Sequence, residues 1–433
     1  MTDASSLTVG SAVRVRPSIR PRAMAGRRQG ERLAVLTTAF AVGLIPLAIP
    51  AGPANAAPID VFMAVAIAAC LFWAGSTAHK WRFPYAIAVA LFLAGGALGA
   101  LVGPVPGTGA IALAQDVWLL AWCWAVVNIA KSPSNLKTLL TTWAYSSIGW
   151  AIVPFIGLAI GSAALTGRTA NQGGRIQITL ADPSYAANYL FISIMIMWAI
   201  GRPRHRVFRY GAYALLLTVI AMTGSNSGVV AVIVGTVVAA TLGIYRRSGI
   251  MPATTALAFI VLAGYFAATQ ISLTTIENNA HDSRYAFVRN GIGRGTSFEQ
   301  RGQLLQESIS LYRTGNPLGE GPVSTKPRLH KEMAPFEKEA HDDYVASLIE
   351  RGVLGFLGLV LLVVILLRRT LFSATGNLTE GFAKVVIRPN ALAGAVAGTL
   401  VAGTVYELLH VRHVWTLFGL VTALAIWGTK RTA

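Results

Sequence analysis

Apolar runs of near-membrane length recur along this chain, and nothing else in it constrains the fold so strongly. Leu33 to Ala51, Val61 to Ala74 and Tyr85 to Val102 are the first three. A bilayer core about 30 Å thick needs roughly 20 apolar residues per spanning helix. Lipid offers the backbone no hydrogen-bond partner, so such runs must close their own bonds as helices. The pattern predicts an all-α membrane bundle of about 12 transmembrane helices, over 33–51, 57–75, 84–103, 109–129, 138–161, 184–200, 209–223, 227–245, 251–269, 344–367, 390–409 and 413–428. The first run precedes Ala54-Asn55-Ala56, which has the look of a cleavage site, but its length and the runs behind it make it an anchor.

Composition agrees. The 433 residues are 54% hydrophobic and only 12% charged, where a soluble protein carries about 25% charged residues. The net charge of +18 would suggest nucleic acid in a soluble chain. Here it is placed by topology, and no nucleic-acid partner is expected. Arg14, Arg16, Arg20, Arg22, Arg27, Arg28 and Arg32 precede the first run. Arg202, Arg204, Arg206 and Arg209 crowd one short loop, and Arg246–Arg247 and Arg368–Arg369 close two more. Alternate loops are basic, so the positive-inside rule puts both termini in the cytoplasm. Cys70 and Cys123 fall inside apolar runs and read as packing residues.

Four parts follow from this reading: a basic tail over 1–31, expected to be disordered; transmembrane helices over 32–269; an extracytoplasmic loop over 270–343; and helices with a short cytoplasmic tail over 344–433. Loops as long as the third part are usually functional or unstructured. This one holds helix signals. Ser297 and Gln300 have capping-box spacing, and Phe298, Leu304, Leu305, Ile309 and Tyr312 recur at helical period before Gly315-Asn316-Pro317 stops the pattern. An amphipathic helix on the outer membrane face is expected, with Arg301 one turn before Leu305.

Three outward segments carry the polar residues. The first is Gly174-Arg175 followed by Ala181-Asp182-Pro183-Ser184-Tyr185-Ala186. The second runs from Arg301 to Pro317-Leu318-Gly319-Glu320-Gly321-Pro322. The third is Ala340-His341-Asp342-Asp343-Tyr344, leading into an apolar run that contains Gly352, Gly355 and Gly358.

Their order and common side resemble the O-antigen ligase and polymerase superfamily of membrane glycosyltransferases. In that family an Arg opens an outer-loop helix that ends in a Pro-Leu-Gly-x-Gly turn. A His-Asn pair then precedes Leu-x-Glu-x-Gly-x-x-Gly. Here the last motif reads His341-Asp342, Leu348, Glu350, Gly352 and Gly355. Thr223-Gly224-Ser225-Asn226-Ser227 is similar to a family turn that usually holds an Arg. Asn226 stands in place of that Arg, and Asp342 in place of the Asn. The resemblance covers about residues 165–365 and extends elsewhere only by topology. It implies transfer of a glycan from an undecaprenyl-diphosphate carrier to an acceptor hydroxyl outside the cytoplasmic (inner) membrane, with no metal and no cofactor. The acceptor is a glycan, a lipid or a protein side chain.

The residue chemistry suits that reaction. Arg binds phosphate oxygens bidentately and never loses its charge, so Arg301, Arg175 and Arg168 are candidates for the diphosphate. A neutral His works as a base near pH 7, and His341 is the candidate that activates the acceptor. Asp342 and Glu350 are candidate supports. Asp342 or Asp343 orients His341, or the pair is a solvated acidic cap. Glu350, about two and a half turns below His341, expects a partner, an Arg among the options. The outer arginines have an alternative use in holding lipid headgroups. Asp116, Glu407, His410, Arg412 and His413 read mainly as helix-end pairs, and His281, His330 and His341 lack metal-ligand spacing. The competing functions are a transporter or flippase of lipid-linked saccharides, which would place charges at the bilayer midplane, and a membrane scaffold or sensor.

Overall fold

A computed structural model describes residues 21–50, 56–77, 81–168, 174–270, 278–283, 289, 297–331 and 341–430. Helices make up most of the described residues, with no β-strand among them and one isolated bridge between Leu378 and Thr429. In chain order they are α1 (Pro21–Gly43), α2 (Pro58–Gly75), α3 (Ala86–Val102), α4 (Pro106–Ile129), α5 (Pro133–Ala159), α6 (Ala163–Thr166), α7 (Pro183–Ile200), α8 (Arg206–Thr223), α9 (Asn226–Ser248), α10 (Ile250–Gln270), α11 (Ser297–Thr314), α12 (Thr325–Lys331), α13 (Asp343–Thr375), α14 (Glu380–Val385), α15 (Pro389–Ala402) and α16 (Arg412–Trp427).

Each of the twelve apolar runs contains a helical stretch, although α1 ends at Gly43 rather than near residue 51. Six are long and apolar enough to cross a membrane, namely α2, α4, α5, α7, α9 and α13, and shorter apolar helices lie in α3, α10, α15 and α16. The protein is a multi-pass membrane protein. Its outer surface says the same: Phe72, Leu101, Phe259, Leu262 and Phe266 are all more than 60% exposed. A water-soluble surface does not tolerate so continuous an apolar face.

Small residues bring the helices together. A side chain on Gly95 or Gly358 would collide with the backbone of the partner helix where α3 crosses α13, and one on Gly235 or Gly394 would do so where α9 crosses α15. Without a hydrophobic force between helices in lipid, such close approach gains dispersion contact instead. Helix α7 lies at the centre: Tyr189, Phe191, Ile192 and Met197 are fully buried.

Two further boundaries differ from the sequence expectation. Helix α1 begins at Pro21, so the last third of the basic tail joins a helix; residues 1–20 lie outside the described residues. The run expected as one helix over 390–409 stops at Ala402. The segment 403–411 is a turn, held because the Asp343 carboxylate accepts the N–H groups of Leu408 and Leu409 and the Asp343 N–H donates to the Gly403 carbonyl at 2.9 Å. Its apolar composition hides this, since buried turns and helices look alike by hydropathy.

Candidate functional site

The site begins with a broken helix. Gly352 in α13 has φ +62 and ψ −170, outside helical geometry. The break frees backbone groups that would be costly at membrane depth. The turn Pro317-Leu318-Gly319-Glu320-Gly321 satisfies them. Glu320 and Gly321 donate their N–H groups to the carbonyls of Ile349 and Glu350 at 2.9 Å each, and Val353 donates to the Pro317 carbonyl at 3.1 Å. Gly319 and Gly321 hold φ near +97 and +92, the left-handed region where glycine is at ease.

Glu350 then fixes the next segment. Its carboxylate accepts from the Val323 N–H at 2.9 Å and from the Thr325 hydroxyl at 2.8 Å, at the N-terminus of α12. The neighbouring Arg351 faces elsewhere. Arg351 pairs with Asp116 of α4 at 2.7 Å and lies 3.9 Å from the centre of the Phe92 ring. Both charges are about nine-tenths buried.

These groups line a cavity of about 120 Å³ together with Ser347, Glu407 and His410. His341 joins it through Glu407, whose carboxylate accepts the His341 backbone N–H at 3.2 Å. The imidazole stacks on Tyr406, with ring centres 5.1 Å apart and planes 19° apart. Tyr406 meets Tyr185 edge-on, and the Tyr185 hydroxyl is 2.6 Å from His410 Nε2. Burial, with Arg412 nearby, pushes His410 down to about 4, so it is neutral at pH 7.

His341 itself has φ +53, a conformation for which His is among the better-tolerated residues. Asp342 explains it. As N-cap of α13 its side chain accepts from Tyr344 and Val345 N–H at 2.8 and 3.0 Å, and the chain must turn sharply at His341 to deliver it. Burial raises the Asp342 carboxyl above its usual range, and the two N–H donors oppose this. Asn and Asp are equivalent N-caps, so Asp342 does this work without the amide that the resemblance leads one to expect. Neither acid of the pair is fully solvated: Asp343 is buried against Leu408 and Leu409.

The remaining expected residues are dispersed. Arg301 lies in α11, which packs against α13, but its side chain is outside the described residues. The apolar stripe of α11 is rotated from the expected one. Leu304, Ser308 and Leu311 are buried, with Leu329 of α12 beside the two leucines, while Leu305 and Ile309 are exposed. Arg175 is buried and donates to the Thr223 and Gly224 carbonyls at 2.6 and 3.2 Å, the C-terminal end of α8. Arg168 donates to the Gly174 carbonyl at 2.6 Å and lines a separate cavity of about 330 Å³. Among the other ionisable groups, Arg412 grips Asp60 with donors at 3.0 and 2.6 Å, and His413 Nε2 is 3.0 Å from Asn188 Oδ1.

Sequence reading missed Arg351, Tyr406 and Tyr185. Arg351 had a signal, since an arginine inside an apolar run needs a partner, and Asp116 was the matching acid. Tyr406 had none, and Tyr185 stood only as one residue of the 181–186 segment.

No curated protein matches the chain in sequence. Residues 211–360 match the family model described as O-antigen ligase. That span holds the Thr223–Ser227 turn, Arg301, the strap onto the broken helix, His341 and Glu350, and leaves Arg168 and Arg175 outside. The match covers about a third of the chain and supports an O-antigen ligase domain over these residues.

Proposed function

We propose that the protein transfers a glycan from an undecaprenyl-diphosphate carrier to an acceptor hydroxyl at the extracytoplasmic face of the inner membrane, both termini lying in the cytoplasm. One observation carries the reading. His341 is held by its backbone to Glu407 and by its ring to Tyr406, at the end of a membrane bundle, where a buried arginine and several carboxylates share one cavity.

In the proposed step His341 takes the acceptor proton as the hydroxyl oxygen attacks the anomeric carbon. The carbon–oxygen bond to the diphosphate breaks, and its electron pair leaves with the carrier. Arginines stabilise the charge that develops there, which gives Arg301 its role and needs no metal. Arg175 contributes more indirectly. Its guanidinium reaches the turn where the family usually places an Arg, so it supplies from another segment the charge that Asn226 lacks.

The test uses purified protein, a fluorescent lipid-linked glycan and an added acceptor. Wild type consumes the donor, and His341→Ala lowers the rate about 10²–10⁴-fold, the usual worth of a general base. Arg301→Ala weakens use of the donor. A second reading, a flippase for the same lipid-linked saccharide, draws on the broken helix and the embedded Arg351–Asp116 pair. In liposomes it would move donor across the bilayer without consuming it, and His341→Ala would leave that movement intact.

A further inference from the structure

At the opposite end of the bundle from His341 lies another cavity. Helix α15 runs from Pro389 at this end to Ala402 beside the His341 segment, about 21 Å at 1.5 Å per residue. The cavity has a volume of about 440 Å³ between α9 and α15. Its walls divide by chemistry. Trp198, Ala239, Ala240, Ile244 and Ile387 form an apolar part, and Arg246, Arg247 and Arg388 a cationic part. No acidic residue is among those lining it.

The arginines differ in how they are held. Arg388 is fixed: its Nη1 donates to the Trp198 carbonyl at 3.2 Å and its backbone N–H to the Ala199 carbonyl at 3.0 Å. Asn390, buried behind it, donates to the Ala239 carbonyl at 2.7 Å and ties α15 to α9. Arg246 and Arg247 are exposed in the last turn of α9 and make no hydrogen bond or ion pair among the described residues. The groove is therefore rigid on its apolar side, with two unneutralised cations at its mouth. Ile387, half exposed, continues the apolar wall outward to the lipid-facing surface.

We infer that this groove binds one anionic phospholipid, its phosphate on Arg246, Arg247 and Arg388 and an acyl chain along Ile244 and Ile387. Arginine forks match phosphate oxygens. Basic pockets between membrane helices on the arginine-rich side collect anionic headgroups. A free phosphate offers the same oxygens but has no use for the apolar half.

Native mass spectrometry of the full chain decides it. The protein is mixed with phosphatidylglycerol or phosphatidylcholine, with inorganic phosphate as competitor. Wild type retains one phosphatidylglycerol in preference to phosphatidylcholine, and phosphate does not displace it. The Arg246→Gln/Arg247→Gln double variant loses about 25-fold of that preference, since each arginine near an anionic headgroup contributes a factor of about five. Its melting temperature in detergent stays that of wild type, because neither side chain has a partner among the described residues. The Arg202→Gln/Arg204→Gln variant, altered in the neighbouring loop outside the cavity, keeps the preference. Equal loss in both variants would mean diffuse surface charge and would overturn the site. Displacement by inorganic phosphate, or an unchanged preference in the 246/247 variant, would also overturn it.

Discussion

The Val353 N–H donates to the Pro317 carbonyl at 3.1 Å, replacing the bond to Ile349 that an unbroken helix would make. A loop residue thus completes the backbone of a membrane helix, and the Ile349 carbonyl is passed to Glu320 in exchange. The loop and the broken helix fold as one unit, which places Glu350, Arg351 and His341 relative to each other.

Gly352→Ala tests that unit. A Cβ there would meet Leu318 and Pro317, and φ is +62. Holding a non-glycine residue in a sparsely populated conformation costs about 1–3 kcal/mol before the clash is counted. The melting temperature in detergent falls and transfer activity is lost. Gly107→Ala is the control, since a Cβ there meets nothing. Equal melting temperatures for the two variants would sink the strap as a structural element.

The Arg351–Asp116 pair predicts strong coupling. Removing one partner of a buried pair costs about 3–5 kcal/mol, while replacing both with apolar residues is near neutral. Asp116→Leu and Arg351→Met each destabilise, and Asp116→Leu/Arg351→Met recovers most of the loss. A double-mutant cycle on thermal unfolding measures this, and additive effects would mean the ion pair is not formed.

Arg175→Lys separates two uses of that arginine. Its hydrogen bonds to Thr223 and Gly224 depend on the guanidinium fork, and bonds to charged donors are worth about 1.5–3 kcal/mol each. Lysine keeps the charge and loses stability. A variant that keeps its melting temperature but loses affinity for the lipid-linked donor would instead assign Arg175 to the diphosphate alone.

His410 predicts a pH dependence. Burial depresses its folded-state value from 6.5 to about 4, so below pH 6.5 the unfolded chain takes up a proton that the folded chain refuses. Its contribution to stability is full above about 6.5 and is lost as pH falls toward 4. His410→Gln flattens the decline of the melting temperature over that window, and an unchanged slope would show that His410 is not held neutral.

Much of this protein is written in its order of residues. Long apolar runs in lipid leave the backbone no choice but helix, so the all-α bundle, the apolar runs that became helices and the helix over Ser297–Thr314 were legible. So was the likeness to the O-antigen ligase family model, because His341, Glu350, Gly352 and the Pro317–Gly321 turn keep a fixed order and spacing. Spacing along the chain says little about partners across it. That Arg351 pairs with Asp116 of α4 while Glu350 turns to Val323 and Thr325, that Arg175 reaches the Thr223 turn from 48 residues away, and that residues 403–411 leave the helix to bring Tyr406 and Glu407 to His341 were decided by tertiary structure. In each case a buried polar group found its partner on another helix, because in a bundle without water the cost of an unpaired charge or backbone group outweighs local helical preference.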